Sequence, residues 1–153
     1  MAIYLVQHGH SLPKEADPER GLSEQGFAEV QLIADRSRDH NILVSQVIHS
    51  GKKRASQTAH IYAQALQPEG GISERAGLQP MDDVIAIADS LDTANNQMLV
   101  GHLPFMEKLV SYLITGSAEK PVIKFQNGGI ICLDQSPDTG AFYIKWALLP
   151  VFD

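Results

Sequence analysis

The chain opens on an unbroken apolar run, Ile3-Tyr4-Leu5-Val6, and strand-like runs return at Val44 to Ile48, Ile72 to Arg75 and Gln97 to Val100. Short apolar runs bounded by turn residues are the pattern of strands covered on both faces. Between them the spacing becomes helical. Phe27, Val30, Ile33, Ala34 and Ser37 predict a helix over residues 23–38, begun by Ser23 as its N-cap. Ala55, Thr58, Ala59, Tyr62, Ala63 and Leu66 predict a second helix. Val84, Ile87, Ala88 and Leu91 predict a third, with Asp82 or Asp83 at its start, where a negative charge suits the helix dipole. Met106, Leu109, Val110 and Leu113 predict a fourth, entered at Pro104 and closed by Gly116. The pattern then changes. Residues 117–127 are irregular, Gly128-Gly129 opens a strand through Leu133, and Ser136 to Gly140 is a turn. Ala141 to Leu148 alternates, with Phe142, Ile144, Trp146 and Leu148 sharing a face, so the last two strands form an antiparallel hairpin. Strand–helix alternation followed by a hairpin predicts an α/β fold: a three-layer α/β/α sandwich around a mostly parallel sheet, as a single domain over residues 1–153.

The 153 residues suffice for one domain with a sizeable core, and 44% hydrophobic with 20% charged residues is a globular composition. The formal net charge of -6 argues against nucleic acid and against an anionic membrane surface as partners. A local basic pocket for an anionic substrate remains compatible with it. The one cysteine, Cys132, sits in the apolar run Ile130 to Leu133 and reads as a small buried hydrophobe. No leader-like apolar stretch opens the chain and no run approaches the roughly 20 residues of a membrane span, so a cytoplasmic location is expected. Nothing in the pattern specifies an oligomeric state.

Three polar clusters stand at the carboxyl ends of predicted strands: Gln7-His8-Gly9-His10, Ser50-Gly51-Lys52-Lys53-Arg54, and Gly101-His102. In a parallel sheet these ends share one edge, so the clusters can converge there. Gly9 would let backbone approach a ligand. Two histidines and an arginine at one point suit phosphoryl transfer, with a neutral imidazole attacking phosphorus and cations stabilising the equatorial oxygens. The rival chemistry is metal binding by His8, His10 and His102. No cysteine or nearby carboxylate completes that set, and an arginine beside it favours an anion, so no metal and no cofactor is expected.

These stretches, together with Leu22-Ser23-Glu24-Gln25-Gly26, Ala55-Ser56-Gln57-Thr58-Ala59 and His102-Leu103-Pro104, resemble the motif set of the histidine phosphatase superfamily. That family shows Arg-His-Gly, Leu-Thr-x-x-Gly, Ser-x-x-x-Arg-Ala-x-Gln-Thr and a late Gly-His or Ser-His. The small size, the His-Leu-Pro sequence and the segment from Phe125 to Leu133 resemble the SixA-type phosphohistidine phosphatases in particular. The resemblance implies a phosphoglycerate mutase-like fold and a metal-independent phosphatase. It makes His8 the nucleophile that becomes phosphohistidine, with Arg54 and His102 binding the phosphoryl group. Gln7, Gly9, His10, Ser50 and Lys53 are the surrounding substrate contacts. A protein phosphohistidine is expected ahead of a small phosphate ester. Larger members use a carboxyl group from mid-chain as general acid, for which Asp83 is the first candidate here, ahead of Asp82 and Glu74.

One position departs from the family. Its arginine before the nucleophile is Gln7 in this chain. Glutamine brings donors but neither charge nor a planar fork. Loss of one transition-state donor costs about 10²–10³ in rate, so the departure bears on turnover more than on anion binding. It also keeps open a non-catalytic module that binds phosphate or phosphohistidine. Lys52, Lys53 or a protonated His10 are the candidates to restore the charge.

Overall fold

The computed structural model of the protein describes residues 1–151. The elements in chain order are β1 Ile3–Gln7, α1 Glu24–Asp39, β2 Gln46–His49, α2 Lys53–Leu66, β3 Ile72–Glu74, α3 Val84–Ser90, β4 Gln97–Gly101, α4 Phe105–Thr115, β5 Ile130–Gln135 and β6 Phe142–Leu148. The six strands form one sheet in the order β3-β2-β4-β1-β5-β6. β1, β4, β2 and β3 run parallel to one another, with Val6 beside Val100 and His49 beside the same residue on the other side. β5 and β6 complete the sheet antiparallel.

Why β1 is apolar throughout is now visible. Alternate side chains leave opposite faces of a strand, and both faces are covered. Tyr4 and Val6 pack with Val30 and Ile33 of α1 and Ala59 and Tyr62 of α2. Ile3 and Leu5 pack with Ile87 of α3 and Met106 and Leu109 of α4. The result is the three-layer α/β/α sandwich, with a core cluster on each side of the sheet. Cys132 is buried in the first of these. Among the described residues no helix is long and apolar enough to cross a membrane.

Two details differ from the sequence pattern. Phe27 follows the helical period of α1 yet is exposed, while Gly26, Val30, Ile33, Ala34 and Ser37 form the buried stripe. The alternation of β6 does not put four residues on one face. A register shift between Cys132 and Leu133 leaves Lys145 as an extra residue, a β-bulge. Trp146 and Leu148 therefore pack on the α1/α2 side, and Phe142 and Ile144 on the α3/α4 side. A bulge exchanges the two faces without disturbing the sequence alternation, so the pattern alone is blind to it.

Gly26 is fixed by a close approach. Ser23 caps α1 by accepting from the Gly26 N–H (3.0 Å), and both the backbone N–H and the hydroxyl of Ser23 donate to the His10 carbonyl (2.9 and 3.2 Å). A side chain at position 26 would collide with that carbonyl. Gly26→Ala is expected to lower stability by about 1–3 kcal/mol through overpacking, read as a reduced Tm. An unchanged Tm would show that the loop after β1 is free to move.

Candidate active site

His8 follows β1, Ser50 follows β2 and His102 follows β4, and these three strands are adjacent in the sheet. The polar clusters therefore do meet at the carboxyl edge of the parallel strands. The rings of His8 and His102 are 5.1 Å apart between centroids and inclined at 54°. Ser50 Oγ lies 2.6 Å from His102 Nε2. Gln79 Nε2 donates to the Ser50 carbonyl (2.9 Å) and holds that turn.

The backbone around His8 is locked from several directions. The His8 N–H donates to the Gly101 carbonyl at 3.0 Å, and Asn127 Nδ2 donates to the His8 carbonyl at 3.0 Å. The Gly128 N–H donates to the Gln7 carbonyl, and the Tyr62 hydroxyl donates in turn to the Gly128 carbonyl. Thr58 Oγ1 accepts from the Gly9 N–H (3.0 Å) while donating to the Arg54 carbonyl (2.8 Å). Gln57 Oε1 accepts from the Leu22 N–H (2.7 Å). The Arg54-Ala55-Ser56-Gln57-Thr58 stretch thus has a mechanical meaning: Gln57 and Thr58 tie α2 to the loop that carries His8.

His8 Nδ1 is 2.7 Å from the Gly9 carbonyl oxygen. A carbonyl only accepts, so in the neutral imidazole the proton is on Nδ1 and the lone pair is on Nε2. Burial pushes the His8 pKa down to about 4, against the Gly9 hydrogen bond, which raises it; Arg54, Arg20 and His10 lower it further. Burial also lowers the His102 pKa to about 3, with His8, Arg54 and Lys52 adding to the effect. His102 Nδ1 is buried without a hydrogen-bond partner among the described residues. Both imidazoles are accordingly neutral at pH 7. NMR titration of their ring protons is expected to place both midpoints well below the ordinary 6.5; a midpoint near 6.5 for His8 would contradict the buried, cation-flanked setting.

The other residues picked from the sequence are distributed as follows. Arg54 opens α2, and its pKa is lowered by burial and by Arg20. Gln7 is buried, with no hydrogen-bond partner for its side chain among the described residues. His10 Nε2 lies 3.4 Å from Glu29 Oε1. Lys53 Nζ is engaged by Asp17 at 2.9 Å. Gly9 has both backbone polar groups spent inside the protein, on Thr58 and on the His8 ring. A Cβ there would come 2.7 Å from Val30 Cγ2, so the glycine serves close packing against α1 rather than ligand approach. Asp83 is the exposed N-cap of α3, accepting from the Ile85 N–H at 3.0 Å. Among the described residues no hydrogen bond or ion pair joins Asp83 to His8 or His102. Asp82 accepts from the Gln79 N–H. No three His, Cys, Asp or Glu side chains among the described residues stand where they could share a metal ion.

Sequence reasoning passed over Arg20, Thr58, Gln79 and Asn127. Arg20 has a left-handed backbone, φ 51°. Its Nε donates to the Leu12 carbonyl and its Nη2 to Ser11 Oγ, each at 3.3 Å. That brings a second guanidinium to the edge occupied by His8 and Arg54, whose pKa values it lowers. A non-glycine residue at positive φ inside a loop was the one available signal, and it is a structural one.

Comparison with known proteins agrees with this geometry. Residues 3–84, more than half of the chain, match the histidine phosphatase superfamily (branch 1). The protein histidine phosphatase SixA in complex with tungstate superposes with a TM-score of 0.83 at 24% identity, covering 98% of this chain and 97% of that one. A protein described as the phosphohistidine phosphatase SixA of Agrobacterium tumefaciens gives 0.76 at 25% identity over 97% of both chains. A mycobacterial glucosyl-3-phosphoglycerate phosphatase gives 0.68 at 11% identity, over 95% of this chain and 97% of that one. A search of curated proteins finds no match. The fold, the motif-bearing stretches and the convergence of His8, Arg54 and His102 lead to one assignment: the chain belongs to the histidine phosphatase superfamily.

Proposed function

We propose that the protein is a metal-independent phosphatase that works through a phosphohistidine on His8, with a protein phosphohistidine as its substrate. The observation that carries this is the tautomer of His8. Its Nδ1–H is held by the Gly9 carbonyl, so Nε2 presents a lone pair at an edge flanked by Arg54, Arg20 and His102.

The reaction runs in two steps. Nε2 of His8 attacks phosphorus, the bond from phosphorus to the leaving nitrogen breaks, and that nitrogen takes a proton from a water molecule. The hydroxide so formed attacks the phosphorus of phosphorylated His8, releasing hydrogen phosphate and restoring the neutral imidazole. Arg54 and Arg20 bear the charge on the equatorial oxygens. His102 is oriented by Ser50 through Nε2. A dianionic phosphoryl group beside it raises its depressed pKa, so the ring donates to the group it binds. An imidazole leaving group needs less protonation than an alkoxide. That suits a site where Asp83 is committed to capping α3, and the preference for phosphohistidine follows from it. The likeness to SixA structures supports the same substrate class.

The direct test is turnover of phosphohistidine and of small phosphate esters side by side, with His8→Ala as control. Phosphohistidine is expected to be preferred; preference for an ester would redirect the reading to a small-molecule phosphomonoesterase. Chelators are expected to leave activity and tungstate binding unchanged. Loss of both on chelation, restored by a divalent ion, would overturn the metal-independent mechanism.

A further inference from the structure

Outside the phosphoryl cradle, the chain concentrates positive charge in one place. An open cavity of about 720 Å³ lies between the loop that follows β1 and the start of α2. Lys14, Arg20, Lys52, Lys53 and Arg54 all line it, five of the 12 lysines and arginines of a chain with formal net charge -6. Lys53 is taken by Asp17 (2.9 Å) and by Glu19 (3.9 Å), a carboxylate that also lines the cavity. Among the described residues, none of the other four has a carboxylate within ion-pair distance. Like charges gathered without counter-charges repel, and a protein rich in carboxylates had partners to offer them. Such a cluster is compensated when an anionic partner occupies it.

Arg54 and Arg20 in the cavity wall are the two guanidinium groups whose charge reaches His8. Lys14 and Lys52 line the same cavity. Lys52 is the N-cap of α2 and makes no side-chain capping bond, so the end of the helix adds its own partial positive charge. A phosphoryl group alone would use the two arginines only.

We infer that this cavity is a docking groove for an acidic polypeptide segment next to the phosphohistidine of the substrate, with Lys14 and Lys52 contacting carboxylates while Arg54 and Arg20 hold the phosphoryl group. The inference rests on the substrate class proposed above and adds to it Lys14, which takes no part in the chemistry. Its occupant is a peptide chain rather than a compact ester because the cavity is open, is formed by two separate segments and carries more cations than one phosphoryl group would neutralise. The groove confers selectivity among phosphohistidine proteins through KM and on-rate, and it weakens as salt screens it.

The test separates binding from chemistry. Two phosphohistidine peptides of equal length, one flanked by aspartates and one by lysines, are titrated into the His8→Ala protein. The acidic peptide is expected to bind at least about tenfold more tightly at low ionic strength, the difference shrinking sharply at 0.5 M salt, on the order of a 4 Å screening length. Lys14→Glu and Lys52→Glu are each expected to weaken the acidic peptide about five- to tenfold and to tighten the lysine-flanked one. Turnover of free phosphohistidine by Lys14→Glu, with His8 intact, is expected to match wild type. Equal affinity for the two peptides, or an affinity for the acidic one that survives both reversals, overturns the groove. Preference for a compact polyanionic ester over the acidic peptide overturns it as well. Absence of turnover of free phosphohistidine in the wild type rejects the catalytic reading instead, and leaves the peptide preference to decide the groove on binding alone.

Discussion

His8→Ala is expected to remove the phosphoenzyme and to lower kcat/KM by at least about 10⁴-fold, the scale on which loss of a covalent nucleophile is felt. The fold should survive. Among the described residues the side chain of His8 bonds only to the adjacent Gly9 carbonyl, and the backbone bonds to Gly101 and Asn127 remain in the variant. Stability at pH 7 should change by no more than about 1 kcal/mol. Its pH dependence should change in a defined sense. With the folded pKa pushed down to about 4, the unfolded chain binds a proton at His8 between roughly pH 6.5 and 4 while the folded chain does not. Wild-type stability is therefore full above the unfolded value and falls as pH drops through that window. Removing the ring removes that share of the fall, so the variant should lose less stability on acidification. The adduct itself is diagnostic: a phosphorus–nitrogen bond is labile in acid and stable in alkali, the reverse of phosphoserine. A labelled adduct that persists in the variant, or that behaves as a phosphoester, would overturn the assignment of His8.

The parts of this protein that were legible in its sequence are those where one physical demand dominates. A strand buried on both faces must be apolar throughout, so Ile3 to Val6 announced β1, and its end announced where His8 would stand. The three clusters at strand ends could be placed on one edge because parallel strands point the same way. Ser23 as the cap of α1 and the burial of Cys132 followed from equally local rules.

What escaped depends on contacts between distant segments. The bulge at Lys145 is set by pairing with β5 and leaves the sequence alternation untouched. Lys53 and His10 read as free cations until Asp17 and Glu29 are seen beside them. Gly9 reads as a ligand-approach glycine until Val30 fills the space its side chain would need. Asn127 lies 119 residues from the His8 carbonyl it holds, and no periodicity links the two.

Arg20 escaped for the same reason, and it carries the second large expected effect. A second guanidinium acts on His8 at this edge, delivered by a loop residue rather than by the strand, and we expect it to do the work of an arginine at position 7. Arg20→Ala is expected to lower kcat/KM for phosphohistidine by about 10²-fold, the cost of one transition-state donor, with weaker tungstate binding and an upward shift of the His8 midpoint as a nearby cation is lost. Alanine keeps the roughly 1 kcal/mol of left-handed backbone strain that arginine carries, and the two side-chain hydrogen bonds lost are long and exposed, so the variant should not be grossly unstable. Gln7→Arg is the complementary change. Position 7 is buried, and a guanidinium there must be desolvated, so a stability loss of about 1–3 kcal/mol is expected. With Arg20 present, the new charge should raise kcat/KM by no more than about tenfold. In the Arg20→Ala background it should recover at least about tenfold, because each arginine then supplies what the other lacks. This coupling separates a shared electrostatic task from a structural role of the loop, since a loop distorted by Arg20→Ala would not be repaired from β1. If Arg20→Ala leaves kcat/KM and the His8 midpoint unchanged while Gln7→Arg alone gains 10²-fold or more, Arg20 is not the substitute and the site works with the charge at position 7 missing.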